Sequence, residues 1–476
     1  MITLKKTRIV ATLGPSSNNA ATISKLLKHG VNVFRLNFSH GNHESYKKII
    51  ALIREQSRKA GFEPAILADL QGPKIRTGTT PDNQPVPITT GSQVTIQAEP
   101  CICSSSHLCI DYPFLAKEIQ EGQSVMINDG AIHLKVQKIN KDGSITCKTL
   151  AGGVYSSHKG VNFPNVDLSI PSLTAKDKKD LRFILENDIQ YIALSFVRSA
   201  SDIIHLRKII QKKRSDINII AKIEKPEAAQ RIDEILDAAD GVMVARGDLG
   251  VEASLPEVPI IQKEIIYKAN RTGKQVIVAT QMLESMIASP LPTRAEATDI
   301  TNAIIDGTDA LMLSGETASG AFPVEAVEMM SEIAIKTEAS DFISKEIINL
   351  SLKQKYPPHS ICEAANWASK DMGNAPIILF TLSGQTALYL SKLRPKAPIF
   401  AFTPNRQVQK QMALMWNVFA FSMEFSKDVS KLYDKAEKLL LQKGYIEESD
   451  ALIEVCGTTP FAGATNTLRV KYVGKE

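Results

Sequence analysis

Apolar runs that end on polar or small residues recur along the chain. The clearest are residues 218–224 (NIIAKIE) and 241–250 (GVMVARGDLG). Each is strand-like and closes in charge: Lys222 and Glu224 in the first, Arg246 and Asp248 in the second. Strand side chains alternate between faces, so Ile220, Lys222 and Glu224 share one side, and Ile219, Ala221 and Ile223 the other. The same parity continued along the second run groups Val242, Val244, Arg246 and Asp248. Neighbouring strands then aim two carboxylates and a lysine at one point, a divalent-cation site beside a fixed ammonium. Six further runs follow the pattern: 7–14 (TRIVATLG); 31–38 (VNVFRLNF), with Arg35 and Asn37 and then Ser39 and His40; 64–70 (PAILADL), ending near Asp69; 191–197 (YIALSFV), containing Ser195; 275–282 (QVIVATQM), containing Thr280; and 310–316 (ALMLSGE). Both parities are rich in Val, Ile and Leu, as a sheet covered on both faces requires.

Helical patterns separate these strands. Residues 42–59 place Tyr46, Ile49, Ile50 and Ile53 on one stripe, with Gly61 past the end; Thr174 precedes a helix carrying Leu181, Ile184 and Leu185; Pro226 opens another. Strand alternating with helix eight times predicts an α/β chain built on a (β/α)8 TIM barrel, whose active site lies at the carboxyl ends of the strands. The third and fourth strands stand about 120 residues apart, too far for an ordinary crossover. The insertion reads as all-β, with short strands at 92–97, 124–128, 132–138 and 144–148 and turns at Gly91, Gly130, Gly143 and Gly152, hence a small β-barrel lid domain. From about residue 345 a C-terminal α/β domain follows. Its residues Ser383, Gly384, Gln385 and Thr386 stand between a strand and a helix, which predicts outward N–H groups and an anion site. The expected boundaries are 1–73 (barrel, first part), 74–170 (lid), 171–344 (barrel, second part) and 345–476 (C-terminal domain).

Composition narrows the class. The chain has 476 residues, 43% hydrophobic and 22% charged, with net charge +5; nothing reaches the roughly 18 apolar residues of a membrane span, and no basic block marks a nucleic-acid arm. A strand beginning near Thr7 leaves no room for a signal peptide, so a cytoplasmic location is expected. Cys101, Cys103 and Cys109 form a C-x-C-x5-C pattern that lacks a fourth metal ligand unless Cys147 approaches, so free reduced thiols are expected.

The motifs at 31–41 (VNVFRLNFSHG), 69–78 (DLQGPKIRTG), 222–224, 243–250, 279–286 (ATQMLESM), 292–296 (PTRAE) and 312–317 (MLSGET) together resemble those of the pyruvate kinases, over the whole length of the chain. The resemblance implies transfer of the phosphoryl group of phosphoenolpyruvate to ADP, giving pyruvate and ATP. It implies Glu224 and Asp248 as ligands of Mg2+ (Mn2+ as an alternative), and Lys222 with Arg35 on the phosphoryl group. Backbone N–H groups of Gly247 and Asp248 would receive the substrate carboxylate, and Thr280 would stand near the enolate. Asn37, His40, Arg76 and Lys159 would lie on the nucleotide side. A homotetramer is the family expectation.

Two features depart from common members. Where many hold K+ with residues matching Asn37, Ser39, Asp69 and Leu70, this chain has Leu70-Gln71 and Lys74, like members working without a monovalent cation; Lys74 would substitute for it, and K+ would not be required. At 381–386 (TLSGQT) the loop with Thr381, Ser383, Gly384, Gln385 and Thr386 resembles the family's phosphate-binding effector loop, but Leu382 replaces a Lys of fructose-bisphosphate-activated forms. Residues 457–467 carry no Lys or Arg either. A phosphorylated small molecule with one phosphate is the expected effector. Some residues keep a second reading: Asp69 as a structural carboxylate, Thr280 as a core threonine, Arg246 as a lock on its loop. Two rival functions, a Mg2+-dependent lyase or aldolase acting on pyruvate and a non-catalytic metabolite sensor, fit less well, because Lys159 and Arg76 suit a nucleotide and no catalytic group is missing.

Overall fold

In the computed structural model, the described residues are 4–164, 166, 168–213, 216–343, 356–426, 428–457 and 465–474. The expected boundary at 344/345 and most of the loop at 457–467 lie outside them. Eight parallel strands close a barrel: β1 (Arg8–Thr12), β2 (Val33–Asn37), β3 (Ala65–Asp69), β4 (Tyr191–Leu194), β5 (Asn218–Ile223), β6 (Gly241–Ala245), β7 (Gln275–Ala279) and β8 (Ala310–Leu313). Alternate residues fill the interior, among them Val10, Val33, Leu67, Tyr191, Ile220, Met243, Ile277 and Met312. The opposite parity, including Ile9, Phe34, Ile66, Ile219, Val242 and Val244, packs under the helices. Val, Ile and Leu on both parities are therefore both used, one in each layer.

One parity argument needs correction. Met243 faces the barrel interior and Val242 and Val244 face outward, whereas β6 ends at Ala245 and Arg246–Glu252 is helix. Strand alternation cannot be carried past Ala245; Asp248 reaches the site because the chain turns into a helix there, at a period of 3.6 rather than 2.

Local signals place the helices. Asn42 caps His43–Ala60 through a reciprocal capping box with Ser45, and the helix ends on Gly61 at φ 66°. Thr174 and Asp177 do the same for Ala175–Glu186. The helix opened by Pro226 breaks at Arg231 and resumes as Ile232–Ala238.

The inserted unit is a curled six-stranded sheet, in the order Val161–Asn162, Ser124–Ile127, Ile132–Ile139, Ile145–Ala151, Gln93–Gln97, His107–Cys109, with a two-stranded ribbon of Val86–Ile88 and Gly153–Tyr155. It has its own core around Val94, Ile96, Leu108, Val125, Leu134 and Phe163. The C-terminal unit is a five-stranded sheet: Ile377–Phe380, Ile399–Thr403, Val418–Ser422 and Ala451–Gly457 are parallel and Thr465–Tyr472 is antiparallel at the edge. Ala413 and Leu414 from this unit join the apolar cluster that fills the barrel interior. No helix among the described residues is long and apolar enough to cross a membrane.

Candidate active site

The polar residues converge at the carboxyl ends of β2 to β7. Arg35 on β2 donates from Nε to Asp69 Oδ2 at 2.8 Å and from Nη1 to Thr12 Oγ1 at 3.0 Å. Asp69, at the end of β3, is 1% exposed. Lys222 on β5 reaches Glu224 Oε1 at 2.8 Å and Asp69 Oδ1 at 3.3 Å, and donates to Ser195 Oγ at 2.8 Å. Ser195 in turn donates to the Leu70 carbonyl at 2.8 Å. The other oxygen of Glu224 accepts the Phe196 N–H at 2.7 Å; Phe196 sits at φ 54°, so the chain after β4 bends back to present that N–H.

Electrostatics follow from this burial. Burial pushes Asp69 up, but Lys222 and Arg35 outweigh it and hold the carboxyl below its ordinary range. Burial works against the Lys222 ammonium, yet Asp69 and Glu224 raise it above the ordinary lysine value, so it stays charged. Glu224 goes the other way: burial, joined by the negative charge of Asp248, raises it despite Lys222. Glu224 and Asp248 are thus two mutually repelling oxygen donors, a pair that a hard divalent cation would relieve.

Thr280, just past β7, lies at φ 68° and accepts the Gly247 N–H on its Oγ1 at 2.8 Å. Arg246 binds the Thr280 carbonyl at 2.7 Å and Asp299 at 2.6 Å. Arg246 therefore fastens two loops together rather than facing the carboxylates. The hydroxyl of Thr280 currently takes the N–H offered by Gly247.

The nucleotide-side residues fall into two groups. Asn37 and His40 follow β2, with the Tyr46 hydroxyl bonded to both of their carbonyls. Arg76 and Lys159 lie on adjacent lid segments: Arg76 pairs with Gly160, and Thr77 N donates to the Lys159 carbonyl at 2.9 Å. The lid is tied to the barrel by Asn162 Nδ2 to Glu252 Oε1, 2.9 Å.

Of the monovalent-cation set, Asn37, Ser39 and Asp69 cluster near Leu70, with Asn37 Oδ1 accepting the Ser39 N–H at 3.1 Å. Lys74 is not drawn into that cluster. Its side chain is exposed, makes no hydrogen bond or ion pair among the described residues, and lies against Gly160, where a Cβ would stand 3.9 Å from Nζ. In the C-terminal loop the outward N–H expectation is corrected for two donors. Gly384 N is taken by Thr381 Oγ1 at 3.0 Å and Gln385 N faces Ser383 Oγ at 3.4 Å; Thr386 is buried against Thr465. Ser383, Gly384 and Gln385 instead border a cavity of about 340 Å3 shared with Lys274 and Gln275 of the barrel.

Ser195, Thr12 and Glu252 escaped assignment from sequence. Ser195 and Thr12 stand at strand ends like the assigned residues, which was the available signal; Glu252 had none, because its partner Asn162 is in the lid.

Comparison with known proteins decides the family. Residues 4–327 match "Pyruvate kinase, barrel domain" and residues 359–471 match "Pyruvate kinase, alpha/beta domain". The chain belongs to the pyruvate kinase family. It is 41% identical to the pyruvate kinase of Geobacillus stearothermophilus over 98% of this chain and 80% of that one. With the pyruvate kinase of Clostridium perfringens it shares 40% over 99% of this chain and all of that one. A crystal structure of a pyruvate kinase from Cryptosporidium parvum superimposes with a TM-score of 0.91 at 35% identity, covering 98% of this chain and 96% of that chain. The protein is a phosphotransferase acting on phosphoenolpyruvate and ADP, and pyruvate kinases generally use a divalent metal.

Proposed function

We propose that Lys222, Glu224 and Asp248 form the catalytic centre of this phosphotransferase, with Mg2+ held by the two carboxylates and no requirement for K+. The observation that carries this reading is the Lys222 ammonium fixed between Glu224 at 2.8 Å and Asp69 at 3.3 Å, beside the second carboxylate of Asp248. The donor set is hard, anionic and short of ligands, which suits an ion that keeps substrate oxygens and water in its shell. When bound, the ion supplies positive charge to the substrate's carboxylate, enolate and phosphoryl oxygens. Lys222 and Arg35 stabilise the transferring phosphoryl group by fixed charge, and phosphoryl transfer needs such positioning more than covalent help. Gly247 and Asp248 N–H groups bind the substrate carboxylate, and Thr280 stands where the enolate is protonated. Arg76 and Lys159 bring the nucleotide with the lid, opposite Asn37 and His40.

Lys74 lies outside the Asn37, Ser39 and Asp69 cluster but lines the same cleft as Phe196 and Asp248, and from there it supplies the positive charge that other members take from K+. The C-terminal loop from Thr381 to Thr386 takes a phosphorylated effector with one phosphate and regulates the barrel from below. A cytoplasmic homotetramer with domain boundaries at 73/74, 170/171 and 344/345 completes the reading. The test is ADP-dependent pyruvate formation from phosphoenolpyruvate and Mg2+ in Tris buffer without K+. Substantial turnover that KCl does not raise supports the Lys74 reading; turnover appearing only with KCl refutes it while leaving the phosphotransferase intact. Lys74→Glu is expected to create dependence on KCl.

A further inference from the structure

The lid contains a cluster of thiols that phosphoryl transfer does not use. Cys101, Cys103 and Cys109 bring their three Sγ atoms within 4.8 Å of one another, and Cys103 Sγ stands 3.6 Å from Cys109 Sγ. Sulfur atoms sharing a tetrahedral ion at metal–sulfur distances near 2.3 Å are about 3.8 Å apart. The three thiols therefore already stand close to the spacing a shared ion requires, in the reduced state.

The surroundings are arranged for sulfur. A Cβ on residue 78 would lie 2.1 Å from Cys109 Sγ and 3.2 Å from Cys103 Sγ, so Gly78 leaves the space the thiols occupy. Cys103 Sγ accepts the backbone N–H of Cys109 at 3.3 Å, which orients that ligand, while Cys109 Sγ donates to the Cys101 carbonyl at 3.1 Å, a proton that an incoming ion would displace. Cys103 and Cys109 are buried. Cys101 is only partly so, and its neighbour Ile102 is 70% exposed, which leaves an entry path and a side open to water. Cys147, the fourth lid thiol, does not join the group.

We propose that Cys101, Cys103 and Cys109 form a three-thiolate site for a thiophilic divalent d10 cation such as Zn2+, with water as fourth ligand on the Cys101 side. Soft sulfur donors select such ions over Mg2+. A divalent ion leaves one net negative charge where a monovalent one leaves two, and the low-polarity lid core favours the smaller excess. The missing fourth protein ligand, which argued against zinc from sequence, is the feature of an open rather than a closed zinc site. The site lies behind the segment that carries Arg76: Gly78 N donates to the Cys109 carbonyl at 2.9 Å and Cys103 N to the Thr79 carbonyl at 2.8 Å. A bound ion would cross-link the segments on which that part of the lid hangs.

The inference does not depend on the catalytic reading, and its test avoids turnover. Full-length protein, reduced and stripped of metal by chelation, is titrated anaerobically with Cd2+ in excess Mg2+, which occupies carboxylate sites. Thiolate-to-metal absorption in the ultraviolet is expected to saturate at one equivalent. Cys103→Ser and Cys109→Ser, each checked for folding by circular dichroism, should weaken binding at least 100-fold, while Cys362→Ala in the C-terminal unit leaves it unchanged. On wild-type protein loaded with one Zn2+, X-ray absorption should count about three sulfur neighbours near 2.3 Å. Absence of a saturable one-equivalent signal, an unchanged signal in both serine variants, or a zinc shell of nitrogen and oxygen alone would each overturn the proposal.

Discussion

Lys222 is held by three acceptors, and its removal tests their purpose. In Lys222→Met the ammonium disappears while the stem still packs, so Asp69 keeps Arg35 but Glu224 loses its cation. The expected result is a fall in kcat of about 10^3-fold or more, with the KM for ADP changed by less than about threefold, read by coupled assay of pyruvate release. A uniform rise in KM with kcat intact would make Lys222 a binding residue instead. Ser195→Ala removes one acceptor and leaves the charge, so a loss of about 10-fold is expected. At this scale the sequence was informative where charge coincides with a strand end: Asp69 and Lys222 could be placed on the barrel mouth because a buried strand tolerates a charge only near its end, whereas uncharged Thr280 and mid-strand Arg35 took their roles from the family resemblance. Asp248 reached the correct region on an incorrect parity, since the start of the helix at Arg246 leaves no mark in hydrophobic alternation. Lys74 was assigned by pattern, and its exposed position beside Gly160 was not legible because it depends on how the lid folds back.

Helix caps, long apolar strands and glycine turns were legible because each is a local property. The two-residue and three-residue strands of the lid, Val161–Asn162 and His107–Cys109, were not, because such short pieces become strands only through their partners. Two predictions belong to these elements. Gly78→Ala drives a methyl into Cys109 Sγ, and overpacking of this kind costs about 1–3 kcal/mol. Thermal unfolding should begin at lower temperature in Gly78→Ala and recover in the double variant Gly78→Ala/Cys109→Ala; failure to recover would place the strain elsewhere. The second concerns the lid tie. Burial raises the Glu252 carboxyl above its ordinary range. A raised carboxyl stabilises the fold fully below its unfolded pKa, near 4.3, and that stability is lost as pH rises through the folded value. Glu252→Gln keeps an oxygen for Asn162 without the charge. It should therefore melt about 1–2 °C above wild type at pH 7, with the gap closing as pH falls toward 4. A constant gap across that range would contradict the assignment.

At the scale of the molecule, the C-terminal unit is fastened to the amino ends of the barrel strands by buried and half-buried charge that no sequence pattern announces. Arg8 donates to the Met415 and Val418 carbonyls at 2.6 and 2.5 Å, and Lys410 pairs with Asp188 at 2.5 Å. Lys392, fully buried, reaches Asp309 at 2.5 Å and Asn270 at 2.9 Å. These partners are remote in sequence, and hydrophobic periodicity carries no information about which distant ions meet. Lys392 closes the helix Gln385–Lys392 that follows the 381–386 loop, and Asp309 immediately precedes β8, so the contact joins the C-terminal loop region to a barrel strand. Burial pulls the Lys392 ammonium down to about 8, with Asp309 opposing. Between that value and the unfolded lysine pKa near 10.4 the unfolded chain binds more protons than the native one, so the Lys392 contribution to stability rises with pH. The difference in melting temperature between wild type and Lys392→Met cancels the other titrating groups. It should move in favour of wild type between pH 8 and pH 10, by the equivalent of about 2 kcal/mol. A difference independent of pH would mean that Asp309 and Asn270 hold Lys392 charged as firmly in the native interface as water does in the unfolded chain, and that the interface is neutral to proton concentration in this range.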